Sequence, residues 1–297
     1  MSPRTRRNIV LMLGGALSWC AAVALVRPSM PSRTPRAALP TSVVDSSGNA
    51  TRGKALMSAF RDSLPTHSGN RLRCVSCHLD DGTRPTAMSW LGTAARYPRY
   101  RARRGREESL SQRVNECVMR SLAGRALPED GRDLRDMVAY IESLRAAPRP
   151  SPVDTVKRTG VVRSGRLVYA ATCVRCHGPD GAGTTLAPAV WGSRSYSIGA
   201  GLSRQTVLAT FVRYNMPYDH AVTLNDQQSA DVASYVLARA RQDHPGKERD
   251  WPKGDPPDDV AYATDGARSA GKSLPPARPL LRRRVAPNAP TSSPIPP

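Results

Sequence analysis

The apolar positions of this chain form a pattern that occurs twice. Residues 54–78 and 164–177 each run from an apolar stripe of helical period into the pentapeptide CxxCH. Each is followed downstream by a second amphipathic stretch, DMVAYIESL at 136–144 and DVASYVLAR at 231–239. Asp136 and Asp231, and Tyr140 and Tyr235, stand in matching places, while Ala139 and Ala233 are one position out of step. Between them, Ser109 to Ala123 reads as a helix, stopped by Gly124 with Pro128 beyond. The expectation is a mainly α chain of two similar domains, 54–147 and 161–263, in which an N-terminal and a C-terminal helix pack across each other. Proline and charge mark 148–160 as a linker, and 31–53 is read as another. From residue 264 the chain turns to Pro, Arg, Ser and Ala, with RRR at 282–284, so 264–297 is expected to be a disordered tail.

The N-terminus has a different pattern. Arg4, Arg6 and Arg7 precede the unbroken apolar run IVLMLGGALSWCAAVALV at 9–26. Such a segment is an export signal, either cleaved near Ala22-Val23-Ala24 or kept as a membrane anchor, and residues 1–30 are assigned to it. Cys20 is then an apolar residue of a hydrophobic helix. The product is expected to be periplasmic.

Composition makes the two domains a problem. Apolar residues make up 39% of the chain and there are two phenylalanines, which is thin for two ordinary cores. The cysteines supply the answer. Cys74 and Cys77 open CVSCH, and Cys173 and Cys176 open CVRCH. The CxxCH spacing attaches a c-type haem, two thiolates forming thioethers to the porphyrin vinyls and the adjacent histidine binding the iron. A thioredoxin-like CxxC or half a zinc site would not require the histidine twice. Two cytochrome c-like domains follow, each enclosing one covalently attached haem, with His78 and His177 as proximal ligands. The porphyrins provide the missing apolar mass.

The remaining iron position decides the chemistry. Met216 lies 39 residues after His177, and Cys117 lies 39 residues after His78. Pro217 pushes Met216 into an extended conformation, from which its thioether can project towards a haem. In the first domain Cys117 competes with Met119, about 200° away around the helix. Val114, Val118 and Leu122 lie between them, so periodicity leaves both at the margins of the buried face. Arg113, Cys117 and Ser121 share one stripe at i, i+4 and i+8, which favours cysteine as the site residue; a buried inert thiol with Met119 as ligand is the alternative.

HSGNRLRCVSCHLDDG, YRARRG, RVNECVMRSLAGRALP, AVWGSRSYSIGAGLSR, VRYNMPYD and HPGKERDWPKGDPPDDVAY together resemble the dihaem thiosulfate dehydrogenase family over roughly residues 54–263, with a further similarity to SoxA-type cytochromes. The resemblance implies that haem 1, with iron held by His78 and Cys117, is the catalytic site, and that haem 2, held by His177 and Met216, is an electron relay. It also implies that Arg103, Arg113 and Ser121 contact substrate. Asn215 stands where some members carry a lysine that competes for iron, so that ligand exchange is not expected here. The implied reaction joins two thiosulfates into tetrathionate, reversibly, with a small periplasmic cytochrome or another acceptor taking the electrons.

Charge agrees with an anionic substrate. The net charge is +20, but the telling feature is RYPRYRARRGR at 96–106, with six arginines and no acid. Guanidinium groups pair with sulfonate oxygens, although most of the six are expected to form a solvated basic loop. Nucleic-acid binding is not expected of an exported haem protein. A thiolate ligand lowers a haem's potential and a thioether raises it, so electrons should run from haem 1 to haem 2. The competing readings are a SoxA-like sulfur-oxidation subunit and a plain dihaem electron carrier.

Overall fold

The computed structural model describes residues 48–273 and 275–281. The leader over 1–30, its Cys20, most of the first linker and the tail beyond 281 lie outside the described residues.

Asn49 caps the first helix, α1 (Ala50–Ser58), its side chain accepting from the Arg52 backbone N–H at 2.8 Å. The domain therefore starts four residues earlier than the apolar stripe suggested. A short turn of helix, α2 (Phe60–Ser63), precedes the first CxxCH. An antiparallel hairpin, β1 (Arg99–Arg101) with β2 (Arg106–Glu108), leads into α3 (Leu110–Arg120). There Ser109 and Gln112 form a reciprocal capping box, and Ala123, at φ +48°, ends the run just before Gly124. α4 (Arg132–Ser143) closes the domain.

The second domain repeats the plan. α5 (Val162–Val168) passes through a wide turn at Tyr169–Cys173 into α6 (Val174–His177); α7 (Gln205–Asn215) and α8 (Asp226–Leu237) follow. α4 crosses α1 as α8 crosses α5, and the sequence echo now has a physical cause. A Cβ on Gly53 would lie 1.8 Å from the Asp136 carbonyl, and one on Gly165 would lie 1.9 Å from that of Asp231. Only glycine lets the helices touch there. The two aspartates then accept from the backbone just ahead of the crossing helix, Asn49 N–H to Asp136 at 2.8 Å and Val161 N–H to Asp231 at 2.7 Å. Phe60, Leu134, Met137 and Val138 are fully buried beneath the first crossing, each contributing about 1.5–3 kcal/mol.

Three further expected boundaries change. Linker residues 149–153 form part of a cavity wall in domain 1, and Val156 is buried with its N–H donated to Thr210. The expected tail is folded over its described part. Thr264 caps α9 (Asp265–Ser269), Arg278 donates to the Ser203 carbonyl at 2.6 Å, and Leu280 bridges Arg241. Ile198, Trp251, Val260, Ala261 and Tyr262 form a small core of their own. Residues 241–263, assigned from sequence to domain 2, run back across domain 1. Trp251 N–H donates to the Arg103 carbonyl at 2.9 Å.

Candidate haem sites

Around the first CxxCH lies a cavity of about 470 Å³. Cys74, Cys77 and His78 lie on it, and Met57, Leu72, Leu110, Met137 and Ile141 give it apolar walls. Size and lining fit a flat apolar macrocycle. His78 Nδ1 faces the Met88 carbonyl at 2.6 Å, which fixes Nδ1 as the protonated nitrogen and leaves Nε2 free to bind a metal. Burial, opposed by that carbonyl, drives the His78 imidazole down to about 4, so it stays neutral as a ligand must. Trp90 stacks on the His78 ring at 4.6 Å and meets Tyr140 edge-on at 5.9 Å.

The second site is built from the same parts. His177 Nδ1 faces the Pro188 carbonyl at 2.7 Å. Trp191 meets Tyr235 edge-on at 5.8 Å. Gly82 lies under Trp90 and Gly181 under Trp191, both at positive φ and with no room for a side chain. Cys173, Val207, Val212 and Met216 pack as partly buried groups at the edge of the core. Met216, at φ −125° and ψ 144°, is the extended residue ending α7, as its proline predicts. The tryptophans, glycines and histidine-fixing carbonyls escaped the sequence reading; a glycine four residues after each CxxCH histidine, Gly82 and Gly181, was a signal the two sites share.

In domain 1 the two sulfur candidates separate. Leu110, Arg113, Val114, Cys117, Val118, Ser121 and Leu122 all line the cavity, an unbroken i, i+3, i+4 stripe of α3 and its end. Cys117 belongs to that stripe and Met119 does not. Cys117 is the strongest influence raising Arg113 above the usual guanidinium value, which marks the two as neighbours. The cavity lining holds six arginines, Arg73, Arg96, Arg99, Arg101, Arg113 and Arg149, and no carboxylate. Burial and mutual repulsion depress Arg96 and Arg101, a strain that bound anions would relieve.

Arg103 does not join them. It donates to the Gly199 carbonyl at 2.9 Å, lies 4.5 Å over Trp251 and approaches Asp250 at 4.0 Å. Nor are most arginines of the loop simply solvated: three line the cavity, Arg103 is engaged here, and Arg104 approaches Glu108 and Glu116 at 3.5 Å. A residue the sequence did not single out is Arg120. It is 3% exposed, pairs with Glu116, and forms a two-pronged bridge to Asp250 at 2.8 and 2.7 Å. Tyr262 Oη donates to the same carboxylate, and the Arg120 carbonyl accepts from Ser197 Oγ at 2.7 Å. The C-terminal strap thereby grips the helix that carries Cys117.

Asn215 also finds a place. It is fully buried, accepts from Thr86 Oγ1 at 2.7 Å and donates to the carbonyls of Thr86 and Phe211, tying α7 to the loop that orients His78. Asn70 donates to the carbonyls of Ser121 and Ser195, a second tie between the domains.

Two cytochrome c domains with this duplicated architecture make the chain a dihaem c-type cytochrome, carrying two covalently bound haem c groups. The SoxA/TsdA cytochrome c domain matches residues 66–146, and the cytochrome c oxidase cbb3-type subunit III family matches 160–236. The chain is 36% identical over 250 residues to the thiosulfate dehydrogenase of Allochromatium vinosum, covering 76% of this chain and 92% of that one. It is 35% identical over 223 residues to that of Psychrobacter arcticus, covering 70% and 68% respectively. It belongs to the thiosulfate dehydrogenase family. Among solved structures, the thiosulfate dehydrogenase (TsdBA) of Marichromatium purpuratum superposes with a TM-score of 0.62 at 28% identity, over 72% of this chain and 50% of that chain.

Proposed function

We propose that the protein oxidises thiosulfate at haem 1, joining two molecules into tetrathionate, and passes the two electrons through haem 2 to an external acceptor such as a small periplasmic cytochrome. The observation that carries this reading is a cavity holding CxxCH, Cys117 and six arginines without one carboxylate. Two thiosulfate dianions repel each other, and an arginine-lined, partly dry cavity offsets that repulsion more effectively than water does. A plain electron carrier has no use for such a lining.

In this reading His78 and Cys117 hold the haem 1 iron, and His177 and Met216 hold that of haem 2. When bound, each haem supplies a one-electron sink. Arg113 and Ser121, one helical turn either side of Cys117, hold the sulfonate oxygens. The Cys117 sulfur would hold the iron when the haem is bound, and its place between Arg113 and Ser121 lets it meet the sulfane sulfur of a thiosulfate held there. Arg103 is a positioning residue: its bond to Gly199 sets the backbone beside Ala200 and Gly201, which line the cavity. Asn215, held by its amide bonds, leaves Met216 without a competing ligand. The reaction can run in either direction. Among the described residues no helix is long and apolar enough to cross a membrane. The arginine-led apolar run at 9–26 supports export to the periplasm, with the protein released or held by that segment.

The test is Cys117→Ala. The variant should retain both haems, lose a thiolate-type low-spin electron paramagnetic resonance signal, and form tetrathionate from thiosulfate alone slower by roughly three orders of magnitude or more. Normal turnover would return Cys117 to the status of a buried thiol.

A further inference from the structure

The stretch 79–88, which follows the first CxxCH, touches both haem sites. Its end serves haem 1, where the Met88 carbonyl holds His78 Nδ1 at 2.6 Å. Its middle crosses to domain 2 and holds the chain on either side of Met216. Before Met216, the fully buried Asn215 side chain accepts from Thr86 Oγ1 at 2.7 Å and donates to the Thr86 carbonyl at 3.1 Å. After it, Tyr218 Oη donates to Asp80 at 2.9 Å. Arg84 donates to the same carboxylate at 2.8 and 3.3 Å and lies 4.3 Å over the Tyr218 ring.

The backbone of this stretch is strained at both ends. Asp80, Asp81 and Met88 lie at φ +54°, +53° and +50°, three of the six non-glycine residues with positive φ among the described residues. The corresponding stretch of domain 2, between His177 and Pro188, gives its positive-φ positions to Gly178, Gly181 and Gly183, which adopt them without steric penalty. Glycine at position 80 would relax the backbone, but it would also remove the carboxylate that Tyr218 and Arg84 share. We propose that residues 79–88 clamp the Met216 loop from domain 1, so that Thr86, Asp80 and Arg84 keep the Met216 thioether in place as the haem 2 ligand. The proposal rests on the reading of Met216 as that ligand. A thioether is neutral and binds metals weakly, so an outside base readily displaces one carried on a free loop. With both flanks held, displacing Met216 must also break hydrogen bonds. Thr86, Asp80 and Arg84 are positioning residues, and haem 2 depends for its ligand on the domain that carries haem 1.

Imidazole titration of the oxidised dihaem protein measures this without turnover, the far-red methionine-to-iron charge-transfer band reporting haem 2 alone. The band should be present in the wild type and vanish in Met216→Ala. Thr86→Val, which removes the donor to Asn215 and keeps the shape, should raise the apparent affinity for imidazole about tenfold. Thr86→Ser, which keeps the hydroxyl, should titrate as the wild type does. Tyr218→Phe, which loses a bond at an exposed position, should gain about threefold. The haem 1 electron paramagnetic resonance signal should stay in place in all three. Thr210→Val is the control, because it removes the hydroxyl bonds of the same helix to Val156 and Thr206 and none to residues 79–88. An equal gain in that variant would reduce the effect to a general loosening of α7 and overturn the clamp. Wild-type titration of both Thr86→Val and Tyr218→Phe would overturn it too, and would leave the ligand assignment and the proposed function standing. If Thr86→Val fails to accumulate as dihaem protein, Tyr218→Phe decides alone. A band absent from the wild type, or surviving in Met216→Ala, would overturn the ligand assignment and the clamp with it.

Discussion

In both domains a sulfur stands 39 residues beyond the CxxCH histidine, yet Cys117 lies within α3 while Met216 lies just past the end of α7. The difference in backbone is a difference in what surrounds the sulfur. A helical position has neighbours one turn away on each side, here Arg113 and Ser121, so any molecule that reaches the Cys117 sulfur also meets a guanidinium and a hydroxyl. An extended residue before a proline offers no such flanks, and the neighbour of Met216, Asn215, spends its amide on Thr86 and Phe211. One architecture thus sets one sulfur between polar flanks and the other at a helix end without them. The surroundings extend the contrast. The α3 helix is gripped from outside by Arg120, Asp250 and Tyr262, while α7 is held at its start by Asp259, which accepts from Arg204 and from the Thr206 N–H.

The comparison can be broken most forcefully by making the first site resemble the second. Cys117→Met should raise the haem 1 potential towards that of haem 2 and reduce tetrathionate formation by roughly three orders of magnitude, as potentiometry and a thiosulfate assay would register. An active methionine variant would mean that the helix flanks, not the thiolate, suffice. Next in size is the clamp. Asp250→Ala leaves Arg120 buried without its main partner and should cost about 3–5 kcal/mol in a denaturant titration. The loss should fall on domain 1, so the Cys117-dependent resonance should change before the haem 2 spectrum does. If both domains respond together, they unfold as one unit and the clamp is not specific to α3.

A smaller effect concerns acid. Burial, followed by the repulsion of Arg120, depresses His244 to about 4 where it packs against Gly199. A value below that of the unfolded chain, about 6.5, adds stability that is complete above pH 6.5 and is lost as pH falls towards 4. His244→Asn should flatten the stability profile across that window; an unaltered slope would assign the acid sensitivity elsewhere. The smallest effect expected is that of Met119→Leu, within about 0.5 kcal/mol in stability and without change in haem 1 spectra. A lost axial signal in that variant would exchange the roles of Met119 and Cys117.

Much of this was legible from local pattern. The CxxCH pairs, the helix read from Ser109 and its stop before Gly124, and the echo of Asp136 in Asp231 are all short-range signals with counterparts in the structure, although the helix itself is shorter, Leu110–Arg120, with Ser109 as its cap. Helical period alone placed Cys117 and Met119 both at the edge of the apolar face, and only the 39-residue spacing and the Arg113, Cys117, Ser121 stripe favoured cysteine. The structure lays the stripe Leu110, Arg113, Val114, Cys117, Val118, Ser121 against a cavity that Met119 does not line. Arg103, a substrate contact only by the resemblance, is turned by the hairpin towards Trp251, a direction that an arginine-rich loop does not announce. Asp250 was invisible because its partner, Arg120, is 130 residues away. The folded part of the expected tail was hidden by composition, since Arg278 and Leu280 are fixed by backbone partners and not by a hydrophobic pattern.

That 130-residue separation also sets a schedule. During synthesis the first CxxCH and α3 emerge long before Asp250 and Tyr262, so for most of the time the chain is growing, Arg120 has no bidentate partner. The helix that carries Cys117 is anchored, through Arg120, by residues made long after it. The first CxxCH is therefore complete in the chain long before the anchor of α3 exists, and Cys117 takes its final setting only when the chain is long enough to reach back to Arg120.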